Sequence, residues 1–334
     1  MITICIDCGA SFIKAARFED GRLTDNRKIS APGVQKQGLI FFPEKIRQLA
    51  GIVKENILVM TKGEEIHLCI SNEMHGFVLT GPCGELYTDY ISWQMEFGNI
   101  RIHENTSKEL LCKEEIKEDI RRSGMPVRAG LPSANLFYLI RSGKLSGKEL
   151  HFYTLGDYII RFLSGIEPLC HPTNAGATGL FDLGTMEWND TLIAYIGAEN
   201  VQFPEIGVKK TEFEMEGIRI HCCPAIGDQQ AALLGAGFMR EEILSFNLGT
   251  GAQVSMLTRK PEWEENWQCR PYFNGYYLRT IPHIPSGRAL NVYFRFVKSI
   301  LKEYEIKISD EDIWGGICRA TLKEETSCLE FEMG

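Results

Sequence analysis

The first residues of the chain constrain its fold more than any other stretch. Residues 4–23, ICIDCGASFIKAARFEDGRL, place an apolar run before Asp7, then a glycine, and then a second apolar run. Two such runs joined by a short turn are typical of an antiparallel hairpin, so residues 1–8 and 11–18 are predicted to pair, with a further turn at Asp20-Gly21. The chain is therefore expected to begin as a β-meander.

The turn at Asp7-Cys8-Gly9-Ala10-Ser11 has the composition of an anion site. Glycine allows the backbone to approach an anion closely, and the N–H groups of a tight turn can surround it. Ser11 adds a hydroxyl donor and Lys14 a positive charge, while Asp7 can reach Mg²⁺ through water. An ordinary hairpin with a surface lysine is the alternative interpretation.

A second turn of this kind occurs at residues 247–252, where Gly249, Thr250 and Gly251 lie between apolar runs. The charge of a nucleoside triphosphate is spread over several phosphates, so it needs more than one set of donors. The two turns together therefore indicate a nucleotide phosphate site more strongly than either turn alone.

Asp228 directly precedes an Ala- and Leu-rich helix predicted for residues 229–238. An aspartate at the N-cap of a helix commonly accepts a hydrogen bond from a first-turn N–H group, which contributes ~1 kcal/mol of stability. The functional interpretation is a general base, which takes a proton from a hydroxyl nucleophile near the positive helix terminus. Both interpretations are open at this point.

The loop Glu73-Met74-His75-Gly76 follows a strand predicted at residues 65–71. Such loops lie at the strand end where α/β proteins gather ligand contacts. His75 could donate to a sugar hydroxyl, and Trp93 could pack on the carbon face of a sugar. A structural histidine and a half-buried core tryptophan are the alternatives.

The rest of the chain alternates helix and strand. Apolar spacing predicts helices at residues 43–63, 107–123 and 154–164 and a strand at 218–222, whereas Trp314-Gly315-Gly316 is predicted to lie in a loop. A single core rarely exceeds ~250–300 residues, so a chain of 334 residues is expected to form two domains. We place the boundary near Gly237, giving domains 1–237 and 238–334.

Charge and cysteine usage limit the partners. With 44 acidic and 36 basic residues the net charge is −8, which disfavours binding to nucleic acid. No run approaches the ~20 apolar residues of a membrane span, and the N-terminus lacks the order of a signal peptide, so a cytoplasmic location is expected. The 11 cysteines are scattered, which indicates free thiols rather than metal sites. This interpretation includes the two clusters that could suggest a metal, Cys5 with Cys8 and His221-Cys222-Cys223.

These motifs also occur in a familiar order. They are IDCGASFIKAA, ISNEMHG, YISWQ, GDYIIRFLSG, HPTNAGATGLFDLGTMEW, GDQQAALLGAG and NLGTGAQVS. Together they resemble the FGGY carbohydrate kinases, and the match covers nearly the whole chain. Within that family the sequence looks most like sedoheptulokinases and then xylulokinases. The resemblance implies an α/β, ribonuclease H-like fold of the actin-like ATPase type, with a second domain that is incomplete.

The resemblance implies roles for residues that match the family motifs. Asp228 would be the general base, Asp7 would organise Mg²⁺, and the phosphates of ATP would be held by Gly9, Ser11, Lys14, Gly249, Thr250 and Gly251. The residues that would face the sugar are Met74, His75, Gly76, Trp93, Asn174, Asp228 and Gln229. The expected activity is ATP-dependent phosphorylation of a sugar hydroxyl, with a ketose, ATP and ADP as partners. The chain could also form a homodimer.

Some residues depart from the family pattern. Ala10 replaces a usual threonine, and Met95 stands where ketose kinases have an acidic residue, which makes Glu96 the candidate replacement. The adenosine motif of the family is also absent from the tail. A truncated or inactive sugar-binding protein of the same fold is therefore the alternative hypothesis.

Overall fold

The computed structural model describes residues 1–32, 44–63, 65–248, 252–264, 267–284 and 286–321. Its strands, in chain order, are β1 (Ile2–Cys8), β2 (Phe12–Glu19), β3 (Arg22–Ser30), β4 (Ile66–Asn72), β5 (Phe77–Thr80), β6 (Arg101–Ile102), β7 (Asn105–Thr106), β8 (Leu150–Thr154), β9 (Phe181–Asp182), β10 (Glu187–Trp188), β11 (Val201–Gln202), β12 (Thr211–Met215), β13 (Ile218–Cys222), β14 (Ile226–Gly227), β15 (Leu244–Leu248), β16 (Ala252–Thr258), β17 (Gln268–Pro271) and β18 (Tyr277–Ile284). Its α-helices are α1 (Glu44–Thr61), α2 (Ser107–Leu111), α3 (Lys117–Ser123), α4 (Pro132–Arg141), α5 (Leu155–Ser164), α6 (Pro172–Ala175), α7 (Asp190–Tyr195), α8 (Asp228–Gly235), α9 (Gly287–Glu303) and α10 (Asp310–Thr321). Short 3₁₀ helices cover Phe97–Asn99 and Glu114–Ile116.

The predicted β-meander is confirmed. Strands β1 and β2 pair antiparallel from Ile2 opposite Glu19 to Cys8 opposite Ile13. Strand β3 then follows a turn in which Asp20 and Gly21 have φ values of 46° and 79°. Two successive left-handed residues produce the tight turn whose twist matches that of the flanking strands.

A seven-stranded mixed sheet is built from the first four strands together with β12, β13 and β14. Its order is β12-β13-β4-β1-β2-β3, and β14 also pairs with β4. Strand β4 runs parallel to β1, β13 and β14. The carboxyl ends of these parallel strands meet at one edge, which positions the candidate site described below.

Helices α1 and α5 pack on the seven-stranded sheet, and together they form the first of two large hydrophobic cores. The buried face of α1 includes Ile46, Val53 and Ile57, as its helical spacing predicts, and these residues share a core with Ile4 and Leu68. Burying such aliphatic side chains stabilises the fold by ~1.5–3 kcal/mol each.

The predicted helix at 154–164 is confirmed as α5. Thr154 caps its start by accepting a hydrogen bond from the Asp157 N–H, and Gly165 ends it with a φ of 71°.

A second core surrounds the three-stranded sheet β11-β8-β5. Phe77 and Phe152 stack with their ring centroids 5.1 Å apart, and Leu136, Phe137 and Leu139 of α4 pack in the same cluster. Helix α4 is buried over most of its surface, from Pro132 to Leu139.

Three local predictions are corrected. Residues 107–123 form α2, a 3₁₀ turn and α3 rather than one helix, because the break lets both Leu111 and Ile116 reach the core with 1% and 4% exposure. Helix α8 begins at Asp228, so the N-cap is Gly227 and Asp228 is the first helical residue. Trp314-Gly315-Gly316 lies within α10, where Trp314 stacks on Phe294 of α9 at 4.8 Å between ring centroids.

The chain divides into two units. The first contains residues 1–241 and 257–279, and the second contains 242–256 and 280–334. In the second unit β15 pairs antiparallel with β16, from Leu244 opposite Met256 to Leu248 opposite Ala252, as predicted for residues 245–257. Helices α9 and α10 pack against each other in the same unit. None of the helices in the described ranges is long and apolar enough to cross a membrane.

Candidate active site

Three parallel strands of the first unit end at the same level. Asp7 of β1 is opposite Ser71 of β4, and Ser71 is in turn opposite Ile226 of β14. The residues that follow each strand therefore leave the sheet at one edge, and they include Glu73 and Asp228. This register brings together chain segments that are more than 60 residues apart in sequence.

Asp7 is held at this edge through both carboxylate oxygens. Ser71 Oγ donates to Oδ1 at 2.9 Å, and Lys14 Nζ contacts Oδ2 at 3.0 Å across the β1–β2 hairpin. The side chain of Asp7 is still 33% exposed and that of Lys14 is 61% exposed. Both groups can therefore meet a ligand in solution, although an exposed ion pair contributes little stability itself.

Backbone hydrogen bonds hold the first of the two turns predicted to bind phosphate. Gly9 N–H donates to Phe12 O at 3.1 Å, and Ala31 N–H donates to Ser11 O at 3.0 Å. Ser11 itself is exposed, so its side chain faces solvent. The residues predicted for the second turn, Gly249, Thr250 and Gly251, lie outside the described part of the chain.

Asp228 starts α8 with its carboxyl group turned back toward the helix. Asp228 Oδ1 accepts a hydrogen bond from the Gln229 N–H at 2.8 Å. Burial raises the pKa of Asp228 to about 6. The hydrogen bond from the Gln229 N–H and the Arg270 guanidinium both lower this pKa, whereas the nearby Asp7 carboxylate raises it further. A carboxyl group with such a pKa is ionised at neutral pH and can accept a proton.

Arg270 of β17 lies beneath Asp228 and is 1% exposed. One of its terminal nitrogens donates to Gln229 Oε1, and Nη1 contacts Met74 Sδ at 3.3 Å. Burial lowers the pKa of Arg270 to about 10, although the Asp228 carboxylate partly counteracts this. The guanidinium therefore ties Met74 and Gln229 together and places a positive charge near Asp228.

The Met-His-Gly loop is shaped by close packing. His75 has a φ of 63°, and its Nδ1 lies 2.7 Å from the Ala177 carbonyl oxygen. A Cβ atom at Gly76 would lie 2.5 Å from Tyr90 Cζ, so only glycine fits beside this ring. At Gly227 a Cβ atom would lie 2.9 Å from Met74 Cγ, which shows how closely α8 approaches the loop.

Trp93 borders the loop and is 48% exposed, so a large part of its ring is accessible to a ligand. Its indole lies near the carboxyl group of Glu73 and lowers the pKa of that group.

Asn174 occupies a different position from the other predicted sugar contacts. It is 2% exposed, and Nδ2 donates to Asn72 Oδ1 and to Ala225 O, both at 2.9 Å. Asn72 Nδ2 in turn lies 3.3 Å from Asn174 Oδ1 and donates to Glu73 O at 2.7 Å. The amide therefore links the end of β4 to the residue that precedes β14.

The sequence was compared with known proteins. Residues 2–235 match the FGGY family of carbohydrate kinases, N-terminal domain. The chain belongs to this family of carbohydrate kinases. The family predicted from the motifs is thereby confirmed.

Several FGGY relatives resemble this chain over part of their length. A glycerol kinase of Citrifermentans bemidjiense is 34% identical over 114 residues, which are 32% of this chain and 23% of that protein. A gluconate kinase structure from Lactobacillus acidophilus has a TM-score of 0.71 at 20% identity, covering 84% of this chain and 59% of that one. A xylulose kinase structure from Rhodospirillum rubrum has a TM-score of 0.76 at 15% identity, covering 90% of this chain and 64% of that one. These likenesses confirm the predicted α/β fold of the actin-like ATPase type.

Two residues of the candidate site were not predicted from the sequence. Arg270 lies 42 positions after Asp228 in a short strand, and nothing in its local sequence indicates that β17 packs beneath α8. Glu73 was visible within the ISNEMHG motif, but a glutamate before Met-His-Gly does not by itself signal burial. A carboxylate directly after an apolar strand is the signal that could have identified it.

Proposed function

We propose that this chain carries the sugar site and the general base of an ATP-dependent FGGY carbohydrate kinase. The observation that supports the proposal is the shared strand edge, which gathers Asp7, the Met-His-Gly loop and Asp228. We assign the sugar site and the base to residues 1–237 and the second phosphate turn to residues 238–334. The finer substrate class that we propose is a ketose of five to seven carbons, such as xylulose or sedoheptulose.

In this proposal the sugar lies between the exposed ring of Trp93 and the carboxyl group of Asp228, beside His75. Arg270 keeps Gln229 and Met74 in place beneath it. Asn174 acts indirectly, because its amide holds the end of β4, which carries the loop, against the segment that leads through β14 to the base. Preorganised positioning of this kind supplies most of the rate in phosphoryl transfer.

The transfer exchanges one O–P bond for another. The sugar hydroxyl oxygen forms a bond to the γ-phosphorus of ATP while the bond to the β–γ bridging oxygen breaks and ADP leaves. Asp228 accepts the hydroxyl proton, and its pKa of about 6 keeps it ionised at neutral pH. Gly9, Ser11 and Lys14 are proposed to hold phosphate oxygens, together with Gly249, Thr250 and Gly251.

Asp7 fits the requirements of a magnesium site. Its carboxylate is anchored by Ser71 and remains partly exposed, and Mg²⁺ usually binds through one or two carboxylates while keeping several waters. The ion would neutralise charge on the phosphates of ATP. We also propose a cytoplasmic location, because free thiols such as Cys69 and Cys222 fit a reducing compartment.

The test is ADP release from ATP with D-xylulose, D-ribulose, sedoheptulose, glycerol and D-gluconate as acceptors. We expect turnover with a ketose and a loss of about 10²–10⁴-fold in kcat for Asp228→Asn, the range typical of a general base. Asp190→Asn is the matched control, since Asp190 is also the first residue of a helix but is exposed. Equal kcat in Asp228→Asn and wild type would remove Asp228 from its role. Sugar binding in calorimetry without turnover would instead support the sugar-binding alternative.

A further inference from the structure

Glu73 is a buried acid in the proposed sugar site. It directly follows β4, its N–H donates to Cys8 O at 2.9 Å, and the residue is only 8% exposed. The backbone is thus tied to the end of β1, the strand that carries Asp7. Because its main chain is held on the neighbouring strand, the position of its side chain is set by the sheet.

The carboxyl group of Glu73 faces the site. The hydroxyl of Tyr90 and the indole of Trp93 are near enough to lower its pKa, whereas the carboxyl group of Asp228 is near enough to raise it. Burial, reinforced by Asp228, raises the pKa of Glu73 to about 7. A carboxylate offers about four acceptor positions, so two donors leave room for hydroxyl groups of a ligand.

The residues that follow Trp93 do not place a carboxyl group beside the proposed sugar site. Met95 packs against the second core, beside α4. Glu96 is exposed, and its Oε2 accepts a hydrogen bond from Asn99 Nδ2 at 2.9 Å. Neither residue therefore provides the sugar-binding carboxylate expected after Trp93, whereas Glu73 lies against that tryptophan.

We propose that Glu73 is a specificity-determining residue, which accepts hydrogen bonds from sugar hydroxyls other than the one that is phosphorylated. The inference rests on the proposed kinase function and names a further contact within that site. A buried carboxylate beside a second one is costly unless donors satisfy both. A polyhydroxylated neutral sugar supplies those donors.

The same arrangement selects against acidic sugars. A substrate carboxylate would add a negative charge beside Glu73 and Asp228, whose carboxyl groups already repel each other in a partly dehydrated site. The substrate class is therefore a neutral polyhydroxylated sugar, and D-gluconate is disfavoured relative to D-xylulose or sedoheptulose.

The experiment compares Glu73→Gln, Glu73→Asp and Glu96→Gln with wild type. Kinetics with the best neutral sugar of the panel give KM and kcat separately, and calorimetry gives sugar affinity without ATP. We expect Glu73→Gln to raise KM about tenfold or more, because an accepting carboxyl oxygen is replaced by an amide nitrogen that cannot accept, while kcat changes less than about threefold. Glu96→Gln is the control from the neighbouring loop and should match wild type.

Substrate analogues distinguish a direct contact between Glu73 and the sugar from a purely structural role of Glu73. Deoxy forms of the preferred sugar, each lacking one hydroxyl, are compared in wild type and Glu73→Gln. If Glu73 contacts a hydroxyl, one deoxy sugar should lose affinity in wild type and much less in Glu73→Gln. Equal losses in both proteins would overturn the inference, even if the variant were generally weaker.

The outcomes distinguish this inference from the proposed function. Turnover by wild type with an unchanged KM in Glu73→Gln would overturn the inference alone. Preference for D-gluconate over every neutral sugar would overturn both the inference and the ketose class proposed above, while leaving the kinase activity itself supported. If wild type bound no sugar in calorimetry, both proposals would fail. Should Glu73→Gln not fold, Glu73→Asp retains the charge on a shorter side chain, and an unchanged pattern of deoxy-sugar discrimination in it would count against the inference.

Discussion

Substituting Gly76 by alanine tests the packing that shapes the Met-His-Gly loop. The added Cβ would lie 2.5 Å from Tyr90 Cζ and 2.6 Å from Tyr90 Cε2. These distances are about 1 Å shorter than the ~3.5 Å at which carbon atoms pack favourably. Tyr90 is only 7% exposed, so its ring cannot swing into solvent.

We therefore expect Gly76→Ala to lower the free energy of unfolding by about 1–3 kcal/mol, the usual cost of overpacking. Displacement of Tyr90 would also disturb the packing of the Met-His-Gly loop, so KM for the sugar should rise about tenfold, equivalent to ~1.4 kcal/mol. Chemical denaturation measures the first effect, and initial-rate kinetics measure the second.

Gly51→Ala is the matched control. Gly51 lies inside α1, and a Cβ there would have nothing within 4 Å, so this variant should gain ~0.5–1 kcal/mol from its better helix propensity. Replacing Tyr90 by leucine in the Gly76→Ala background should recover part of the loss, since the ring would no longer obstruct the methyl group. The steric argument would be refuted if Gly76→Ala unfolded within ~0.5 kcal/mol of wild type.

Three further variants test other parts of the site. His171 is the N-cap of α6, where its side chain accepts a hydrogen bond from the Thr173 N–H. Burial lowers the pKa of His171 from 6.5 to about 4, so the stability from its neutral ring is complete above pH ~6.5 and is lost as pH falls toward 4, by at most ~3 kcal/mol. His171→Asn keeps a capping acceptor without titrating and should show a flatter dependence in denaturation at pH 4.5 and 7; parallel curves would argue against this. Asn174→Ala removes the donor to Asn72 Oδ1, so the free energy of unfolding should fall by ~2–4 kcal/mol in the same denaturation assay. A fall of less than ~0.5 kcal/mol would contradict the bracing role of Asn174. Lys14→Met should change the free energy of unfolding by less than ~1 kcal/mol, because the ion pair of Lys14 with Asp7 is exposed. The same variant should raise KM for ATP, and an unaltered KM would exclude a contact between Lys14 and phosphate.

Local sequence was sufficient to predict many elements. The opening meander, α1 and α5 follow from apolar spacing and from turn or cap residues such as Gly21 and Gly165, because these signals act within a few positions of the chain. Asp7, His75 and Asp228 could likewise be selected, because each lies in a recognisable motif at the end of a strand or the start of a helix.

Only the tertiary structure decided how these motifs meet. The register of β1, β4 and β14 gathers their ends, and this register depends on pairing between residues that are distant in sequence. The burial of Glu73 and Arg270 depends on segments packed over them, which no local pattern encodes. Propensity and turn chemistry are local properties of the chain, whereas desolvation and charge proximity arise only when remote segments pack together.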